Sequence, residues 1–266
     1  MTLKAASQPA AGAAVTIAAA VNDRAVLDAC LRHSPDFAAD PSVIRVYEGF
    51  ASAASAYNRA LDEAASDIVV LVHQDVYLPA GFLTALDHRL SALAAVDPSW
   101  AVAGVIGVDT ADNVVGETWS SGLQRLVGEK VGQPTPVVSL DEVLLVVRRS
   151  AGVRFDEQMP GFHLYAADLV LAAARAGCGS YVIDLPIIHH SRPVVRLDAG
   201  YRRAYRFMQR KWRANLPISN LVCPIERSIL PLLIRDARLR WLNRGQRGRR
   251  TPTADPASIA HSLGIE

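Results

Sequence analysis

The sequence is poor in the residues on which several classes of protein depend. It has only three cysteines, Cys30, Cys178 and Cys223, which lie far apart along the chain. Zinc sites and redox motifs need close cysteine pairs, and secreted disulfide scaffolds need a dense, even set. It also lacks the run of about 18 apolar residues that a membrane-spanning helix requires. We therefore expect a cytoplasmic protein, either soluble or peripheral to the inner face of the membrane.

The composition favours one large folded unit. Hydrophobic residues make up 50% of the 266 residues and charged residues 20%, which is too apolar for general disorder and enough for a sizeable core. Residues 1–12 are rich in alanine and interrupted by Gln8 and Pro9, so we interpret them as a flexible leader rather than a signal peptide. We predict a main domain over residues 13–215 and a basic, helical, partly flexible tail over residues 216–266.

Positive charge is concentrated in one segment. The net charge of the chain is only +2, yet residues 201–250 hold thirteen arginines and one lysine against two acidic residues. Such a segment suits an anionic partner, or it is a set of solvated helix faces. Within it, the apolar residues 229–234 precede spaced arginines, a mixture that fits the surface of an anionic membrane. Nucleic acid is not expected as a partner, because interleaved aromatic residues are missing.

Apolar runs typical of strands alternate with helical patterns in the first hundred residues. Strands are predicted at residues 15–21, 43–46, 68–72 and 101–108, with helices between them at 25–32, 53–65 and 81–94. This order indicates an α/β fold with a mostly parallel sheet flanked by helices, which binds ligands at the carboxyl ends of its strands. The glycine- and proline-rich residues 109–136 predict loops or short hairpin strands over the site.

One strand end carries the first candidate for chemistry. The apolar run 68–72 ends abruptly in His73, Gln74 and Asp75. A carboxylate in this position is well placed to coordinate Mg²⁺ or Mn²⁺. An aspartate that follows a strand also commonly caps the next segment. From this feature alone, both interpretations stay open.

Four motifs then occur in an order that resembles one enzyme family. They are the strand closing on Asn22-Asp23, the helix Ala56-Tyr-Asn58-Arg-Ala60-Leu, the triplet His73-Gln-Asp75, and Tyr165-Ala-Ala-Asp168-Leu followed by His189. Over about residues 13–215, the chain resembles the family 2 glycosyltransferases, which are nucleotide-sugar-dependent enzymes of the GT-A fold. The segment Phe207-Met-Gln-Arg-Lys211-Trp212 also resembles the end of one branch of that family.

The resemblance implies inverting transfer of a sugar from a nucleoside diphosphate donor to a glycan, lipid-linked or protein acceptor. A divalent cation, Mn²⁺ or Mg²⁺, is the implied cofactor, since charge builds on the leaving diphosphate. By motif position, Asp75 binds this cation together with His189 or the adjacent His190. Asp168 is the implied general base toward the acceptor hydroxyl. Its place near a predicted helix start also allows a simpler role, an acidic charge favourable to the helix dipole.

The resemblance also implies which residues contact donor and acceptor. The residues expected to bind the donor are Ala20, Asn22, Glu48, Asn58, His73 and Gln74. The residues expected on the acceptor side are His163, Asp141 and Glu142.

The sequence departs from the family in two places, and two other functions therefore stay open. His73 stands where many relatives carry the first acidic residue, and Glu48-Gly-Phe-Ala-Ser52 replaces the usual Asp-Gly-Ser-x-Asp. A non-catalytic nucleotide-sugar or glycan-binding module would bind ligand without cation and without turnover. A metal-dependent hydrolase would use His73, Asp75, His163 and His189 around one ion, although these residues lack the short helical spacing of a dedicated zinc site.

Overall fold

The structure is a computed structural model that describes residues 15–244 and 255–265, so the leader expected over residues 1–12 lies outside the described residues. The helices are α1 (Arg24–Ala29), α2 (Pro35–Ala38), α3 (Ala53–Glu63), α4 (Phe82–Val96), α5 (Tyr165–Arg175), α6 (Ala199–Lys211), α7 (Leu230–Leu242) and α8 (Pro256–Ser262). The strands are β1 (Val15–Val21), β2 (Ile44–Glu48), β3 (Ile68–Val72), β4 (Val76–Tyr77), β5 (Val102–Gly104), β6 (Gly107–Val108), β7 (Val114–Ser120), β8 (Arg125–Glu129), β9 (Thr135–Pro136), β10 (Ser139–Leu140), β11 (Leu144–Arg148), β12 (Ser180–Val182) and β13 (Ile188–His189).

The main sheet has seven strands in the order β2-β1-β3-β11-β5-β12-β9. Strands β2, β1 and β3 run parallel to one another, and β12 runs parallel to β5. Strand β11 lies between β3 and β5 and is antiparallel to both, and β9 is antiparallel to β12. Most strands of this sheet therefore share one direction. The expected α/β fold with a mostly parallel sheet is confirmed.

Alternate residues of the central strands pack into two hydrophobic cores, one on each face of the sheet. In β3, Val69 and Leu71 belong to the core that contains α3 and α5, whereas Val70 and Val72 belong to the core that contains α1 and α4. This alternation follows from the two-residue period of a strand. Because helices cover both faces, the strand is apolar at every position, which explains the continuous run in the sequence.

Helix α3 forms one wall of the site. It begins after Ser52, whose hydroxyl accepts a hydrogen bond from the backbone N–H of Ser55 at 3.2 Å, a cap that contributes about 1 kcal/mol. Ala56 and Ala60 are fully buried, and their small side chains let the helix pack closely on the sheet. The next residue after Ala56, Tyr57, reaches the carboxyl edge of the strands.

A second sheet, in the order β10-β6-β7-β13-β4, extends the first, and β8 pairs with β7. The prediction of a single strand over residues 101–108 is wrong, since this segment forms β5 in the main sheet and β6 in the second sheet. At the break, a Cβ atom on Gly107 would lie 2.5 Å from the carbonyl oxygen of Ser139, so only glycine allows β10 to approach. The hairpin strands expected within residues 109–136 are confirmed as β7 and β8.

The described residues of the expected tail pack against the main domain. Ile218, Ile225 and Leu232 belong to the same core as α3 and α5. Ile259 and Ala260 of α8 form a smaller cluster with Tyr77 and Ile188, which lie on β4 and β13. None of the helices in the described part of the chain has the length and apolar character needed to cross a membrane.

Candidate active site

A cavity of about 490 Å³ opens at the carboxyl ends of β2, β1 and β3. This is the edge at which an open parallel sheet binds its ligands, because the loops that follow the strands diverge there. The cavity is lined by Ala20, Val21, Asn22, Tyr47, Glu48, Gly49, Phe50, Tyr57, His73, Gln74, Asp75 and Phe162. Five of the six residues expected to bind the donor lie in it, and the sixth, Asn58, does not.

A cluster of possible metal ligands lies at the β3 end of the cavity. His73, Asp75 and His189 each offer one ligand atom, and these atoms lie within 4.8 Å of one another. The Nε2 atom of His189 is 3.5 Å from Oδ1 of Asp75. Two imidazole nitrogens and one carboxylate oxygen suit a divalent transition metal such as Mn²⁺ better than Mg²⁺, which prefers oxygen ligands. The residues present therefore fit a divalent cation.

Two very short strands bring this cluster together. β13 pairs antiparallel with β4, which places His189 opposite Val76, the residue after Asp75. The backbone N–H of His190 donates to the carbonyl oxygen of Asp75 at 2.8 Å and fixes the register. Of the tandem histidines, His189 therefore joins the cluster, whereas the Nδ1 atom of His190 lies 3.3 Å from the hydroxyl of Ser121.

Charges within the cluster set its protonation. Burial opposes the charged form of Asp75, but the adjacent His189 outweighs burial and holds the pKa of that carboxyl far below its usual range. Burial likewise opposes the charged form of His189, and Asp75 outweighs it and raises the pKa of His189. Burial lowers the pKa of His73, which keeps its imidazole neutral and able to bind a metal.

Tyr165 orients His73. Its hydroxyl lies 3.0 Å from Nε2 of His73 and donates to the backbone carbonyl of Glu142 at 3.3 Å. A partner on one ring nitrogen fixes the ring and leaves the other nitrogen for a metal. Tyr165 belongs to the motif that carries the family resemblance, but the sequence analysis assigned it no role.

The middle of the cavity is polar, and its side chains are joined by hydrogen bonds. Gln74 accepts hydrogen bonds from the backbone N–H groups of Asn22 and Asp23 at 3.0 and 3.1 Å, and its amide donates to Oδ1 of Asn22 at 2.7 Å. Asn22 and Gln74 therefore tie the end of β1 to the end of β3. This contact rigidifies the cavity floor between the cation cluster at β3 and the opposite end of the cavity at β2.

At the far end, Glu48 is paired with Arg24. The guanidinium donates from Nε and Nη2 to the two carboxylate oxygens at 2.8 and 2.6 Å. The hydrogen bond and charge of Arg24 lower the pKa of Glu48, so the carboxylate is ionised. An ionised carboxylate at this position can accept hydrogen bonds from ribose hydroxyls. Sequence reasoning missed Arg24, because no local pattern links it to Glu48, which lies 24 residues further along the chain.

Aromatic side chains form the walls around this polar floor. Tyr47 and Phe50 meet edge to face, with ring centroids 6.2 Å apart, and Phe162 is 43% exposed. An exposed phenyl ring beside a cavity offers a face on which a planar base can stack. Sequence reasoning missed Tyr47, Tyr57 and Phe162, because single aromatic residues cannot be distinguished from core residues by pattern.

The acceptor-side residues approach the cation cluster along β11. The backbone N–H of His73 donates to the carbonyl of Val143 at 3.1 Å, so Asp141 and Glu142 lie beside the end of β3. Asp141 accepts from the N–H of Val143 at 3.0 Å. The Oε1 atom of Glu142 is buried and has no hydrogen-bond partner among the described residues. Burial, reinforced by the charge of Asp141, raises the pKa of Glu142 to about 8.

His163 lies apart from the cation cluster. Its Nε2 atom is 3.7 Å from Oδ1 of Asp198, and its ring lies 5.4 Å from that of Tyr201. It contacts the start of α6, and its place on the acceptor side stays a prediction. The four-residue metal site of a hydrolase is not formed, since His163 is not in the cluster of His73, Asp75 and His189.

Asp168 lies in a closed ion pair. It is 2% exposed, and Lys211 lies 2.7 Å from its Oδ1 atom and 2.9 Å from Oδ2. The indole N–H of Trp212 donates to Oδ1 at 2.7 Å. Lys211 also pairs with Asp156 at 2.8 Å. The structure therefore does not bring Asp168 to the lining of the cavity, and its role as the base stays a prediction from the resemblance.

Asn58 is buried and forms hydrogen bonds with the backbone of another segment. It is 6% exposed, donates to the backbone carbonyl of Phe155 at 2.9 Å and accepts from its N–H at 3.1 Å. These bonds hold α3 against the segment before α5. Asn58 is not among the residues that line the cavity.

The comparison with known sequences gives a partial match. No protein-family model matches the chain. A protein of Fuscovulum blasticum named ATP synthase subunits region ORF 6 is 32% identical over 164 residues, which is 58% of this chain and 63% of that protein. The chain thus spans less than two thirds of the length of this relative.

Several solved structures are similar to this chain. The mannosyltransferase of Pyrobaculum calidifontis in complex with GDP-Man and Mn²⁺ is 15% identical, with a TM-score of 0.49 over 95% of this chain and 80% of that chain. GalNAc-T7 with UDP, GalNAc and Mn²⁺ is 9% identical, with a TM-score of 0.47 over 89% of this chain and 57% of that chain. Glucosyl-3-phosphoglycerate synthase of Mycobacterium tuberculosis with Mg²⁺ and UDP is 15% identical, with a TM-score of 0.44 over 75% of this chain and 80% of that chain. These three proteins are glycosyltransferases. Because their TM-scores are below 0.5, the function proposed below rests on the geometry of the cavity.

Proposed function

We propose that the protein is a cation-dependent glycosyltransferase that moves a sugar from a nucleoside diphosphate to a glycan, lipid-linked or protein acceptor. One observation carries this proposal. Three parts of the cavity follow one another across the carboxyl ends of neighbouring strands: aromatic residues at β2, polar residues at β1 and the cation cluster at β3. Parallel strands lie ~4.8 Å apart, so the ends of β2 and β3 are separated by about 10 Å. This span suits a base and ribose at β2 and a diphosphate at β3.

Each part of the donor has a matching part of the cavity. The base would stack among Tyr47, Phe50 and Phe162, and the ribose would donate hydrogen bonds to Glu48. The diphosphate would lie at the cluster of His73, Asp75 and His189, where a bound divalent cation would stabilise the charge of the leaving group by several kcal/mol. Mn²⁺ is the cation that we propose, since two of the three ligands are imidazoles.

The acceptor hydroxyl must lose a proton as it attacks the anomeric carbon. The resemblance assigns this role to Asp168, but both oxygens of Asp168 accept hydrogen bonds inside the protein. Glu142 has a buried oxygen without a partner and lies beside the end of β3. We therefore propose that the ionised form of Glu142 takes the proton and that Asp168 is a structural residue. Because burial raises the pKa of Glu142 to about 8, we expect transfer to increase as the pH rises toward 8. A single displacement of this kind inverts the anomeric centre.

Direct binding of nucleotides tests the proposal. The purified protein is titrated calorimetrically with UDP, GDP, TDP and CDP, each with Mn²⁺ and again with a chelator. We expect one nucleotide to bind only when Mn²⁺ is present, and Asp75→Asn to abolish this binding. Asp109→Asn, which alters a half-buried carboxylate in the turn between β6 and β7, is the matched control.

The other outcomes separate the rival functions. Binding that is unchanged by the chelator, without transfer of sugar to any acceptor, would indicate a non-catalytic binding module. Absence of binding to all four nucleotides would overturn the proposal. Contact with an anionic membrane, which the basic segment suggested, is a separate proposal because it depends on residues outside the cavity.

A further inference from the structure

Helix α7 has two apolar faces, and within residues 15–244 and 255–265 only one of them packs against the rest of the protein. Its inner face contributes Leu232, which is fully buried, and Asp236, which is 4% exposed. Its outer face carries large apolar side chains that are between 44% and 61% exposed: Leu230, Leu233, Ile234 and Trp241. These residues follow the spacing i, i+3, i+4, i+11, which places them on one side of a helix. We call these four residues the outer stripe.

The rotation of α7 is fixed by Asp236. Its carboxylate accepts from the backbone N–H of Leu197 at 2.8 Å and pairs with Arg202 at 2.5 Å and Arg240 at 3.0 Å. Turning the outer stripe inward would expose this buried carboxylate and break its contacts with Leu197 and Arg202, which lie outside α7. The stripe therefore faces outward because of how the helix is anchored.

Arginines flank the outer stripe. Between residues 227 and 244, the exposed basic residues are Arg227, Arg235, Arg238, Arg240 and Arg244. On a helical projection, Arg238 lies on one side of the stripe and Arg240 on the other. The single acidic residue of this segment, Asp236, is turned toward the protein. The outward surface is therefore apolar along its middle and positive along its edges.

We propose that the outer stripe docks on an anionic lipid bilayer. The stripe would enter the headgroup region, and the flanking arginines would pair with lipid phosphates, as in an amphipathic helix that lies in the plane of the interface. A second copy of this chain fits less well, because a symmetric contact would set the arginines of one copy against those of the other. This proposal is independent of sugar transfer and has a binding readout.

Vesicle flotation tests the docking. The full chain is mixed with vesicles of phosphatidylcholine alone or of phosphatidylcholine with phosphatidylglycerol, at low and at high salt. We expect binding to the anionic vesicles at low salt, weaker binding at high salt and little binding to the neutral vesicles. Binding should also move the fluorescence of Trp241 to shorter wavelength. A Trp241→Phe variant shows which part of that change arises at α7.

Matched variants locate the surface. Ile234→Ser should lower the affinity for anionic vesicles about tenfold, and joint Arg235→Gln and Arg238→Gln should lower it by a similar factor. Leu123→Ser, with 57% exposure on a different part of the molecule, and Arg125→Gln should change nothing. Melting curves verify that each variant folds.

Three results would overturn the proposal. The first is failure of the full chain to float with anionic vesicles. The second is equal binding by wild type and the α7 variants, which would assign binding to the basic residues 245–250. The third is a dimer in light scattering that Ile234→Ser converts to a monomer without any effect on flotation, which would show that a second copy covers the stripe.

Discussion

Two aspartates that the sequence marks as functional have opposite surroundings in the structure. Asp75 lies in an open cavity beside two histidines, and no arginine or lysine in the described part of the chain forms an ion pair with it. Asp168 lies in a closed site, where Lys211 and Trp212 occupy its oxygens. An ionised carboxylate beside two imidazoles can bind a divalent cation once His189 gives up its proton, whereas a carboxylate that is already paired with a lysine is satisfied within the protein. The position of a residue in a motif therefore does not determine its chemistry.

The largest expected effect is that of Asp75→Ala. Loss of the single carboxylate in the cluster should lower transfer by about a thousandfold, or ~4 kcal/mol in activation free energy, and should abolish Mn²⁺ binding. Calorimetry with Mn²⁺ and a transfer assay measure the two effects separately. Undiminished Mn²⁺ binding by this variant would place the cation elsewhere.

Glu142→Gln should lower kcat a hundredfold or more, because the acceptor proton then has no recipient. Nucleotide affinity should stay within about threefold, since Glu142 lies on the acceptor side of the cation cluster. If this variant kept full kcat while Asp168→Asn lost it, the base would be Asp168, as the sequence resemblance implies.

Asp168→Asn should lower the free energy of unfolding by about 3 kcal/mol, because Lys211 is left without one of its buried partners. Denaturant unfolding measures this loss. Transfer by the folded fraction should stay close to that of the wild type. Trp212→Phe, which removes one hydrogen bond to the same carboxylate, should cost about 1 kcal/mol and serves as a milder perturbation of the same site.

The raised pKa of Glu142 predicts how stability varies with pH. Between the ordinary pKa of a glutamate, about 4.3, and the folded value of about 8, the folded protein keeps a proton that the unfolded chain has lost. This contribution to stability is complete below about pH 4 and is lost as the pH rises toward 8. Unfolding of the wild type and Glu142→Gln in chelator at pH 5 and pH 8.5 measures it. The variant should gain on the order of 4 kcal/mol relative to the wild type at the higher pH; equal slopes would show that Glu142 is ionised in both states.

The smallest expected effect on the cation cluster is that of Tyr165→Phe. Without its hydroxyl, His73 loses the partner that orients its ring, so affinity for Mn²⁺ should fall about tenfold. Tyr201→Phe is the matched control, because the Tyr201 hydroxyl has no hydrogen-bond partner among the described residues. A similar loss in both variants would point to a general loosening of the site.

The sequence predicted the fold well where the signal is local. The run 68–72 predicted β3 correctly, and Ser52 marked the start of α3, because burial on both faces and helix capping leave direct traces in neighbouring residues. The choice between His189 and His190 has no such trace, since it depends on the pairing of β13 with β4. The ion pair of Asp168 could not be predicted from the sequence either, because it also depends on contacts between distant segments. Lys211 lies 43 residues further along the chain and reaches Asp168 only because α6 packs near the start of α5.

The small cluster of α8 has a practical consequence for anyone who produces this protein. Ile259 and Ala260 pack on Tyr77, which lies two residues after Asp75, and on Ile188, which directly precedes His189. A chain shortened before residue 255 therefore loses the apolar contacts of α8 that support the strands beside the proposed cation cluster. Metal affinities measured on such a shortened protein would depend on the loss of α8 as well as on the ligands in the cavity.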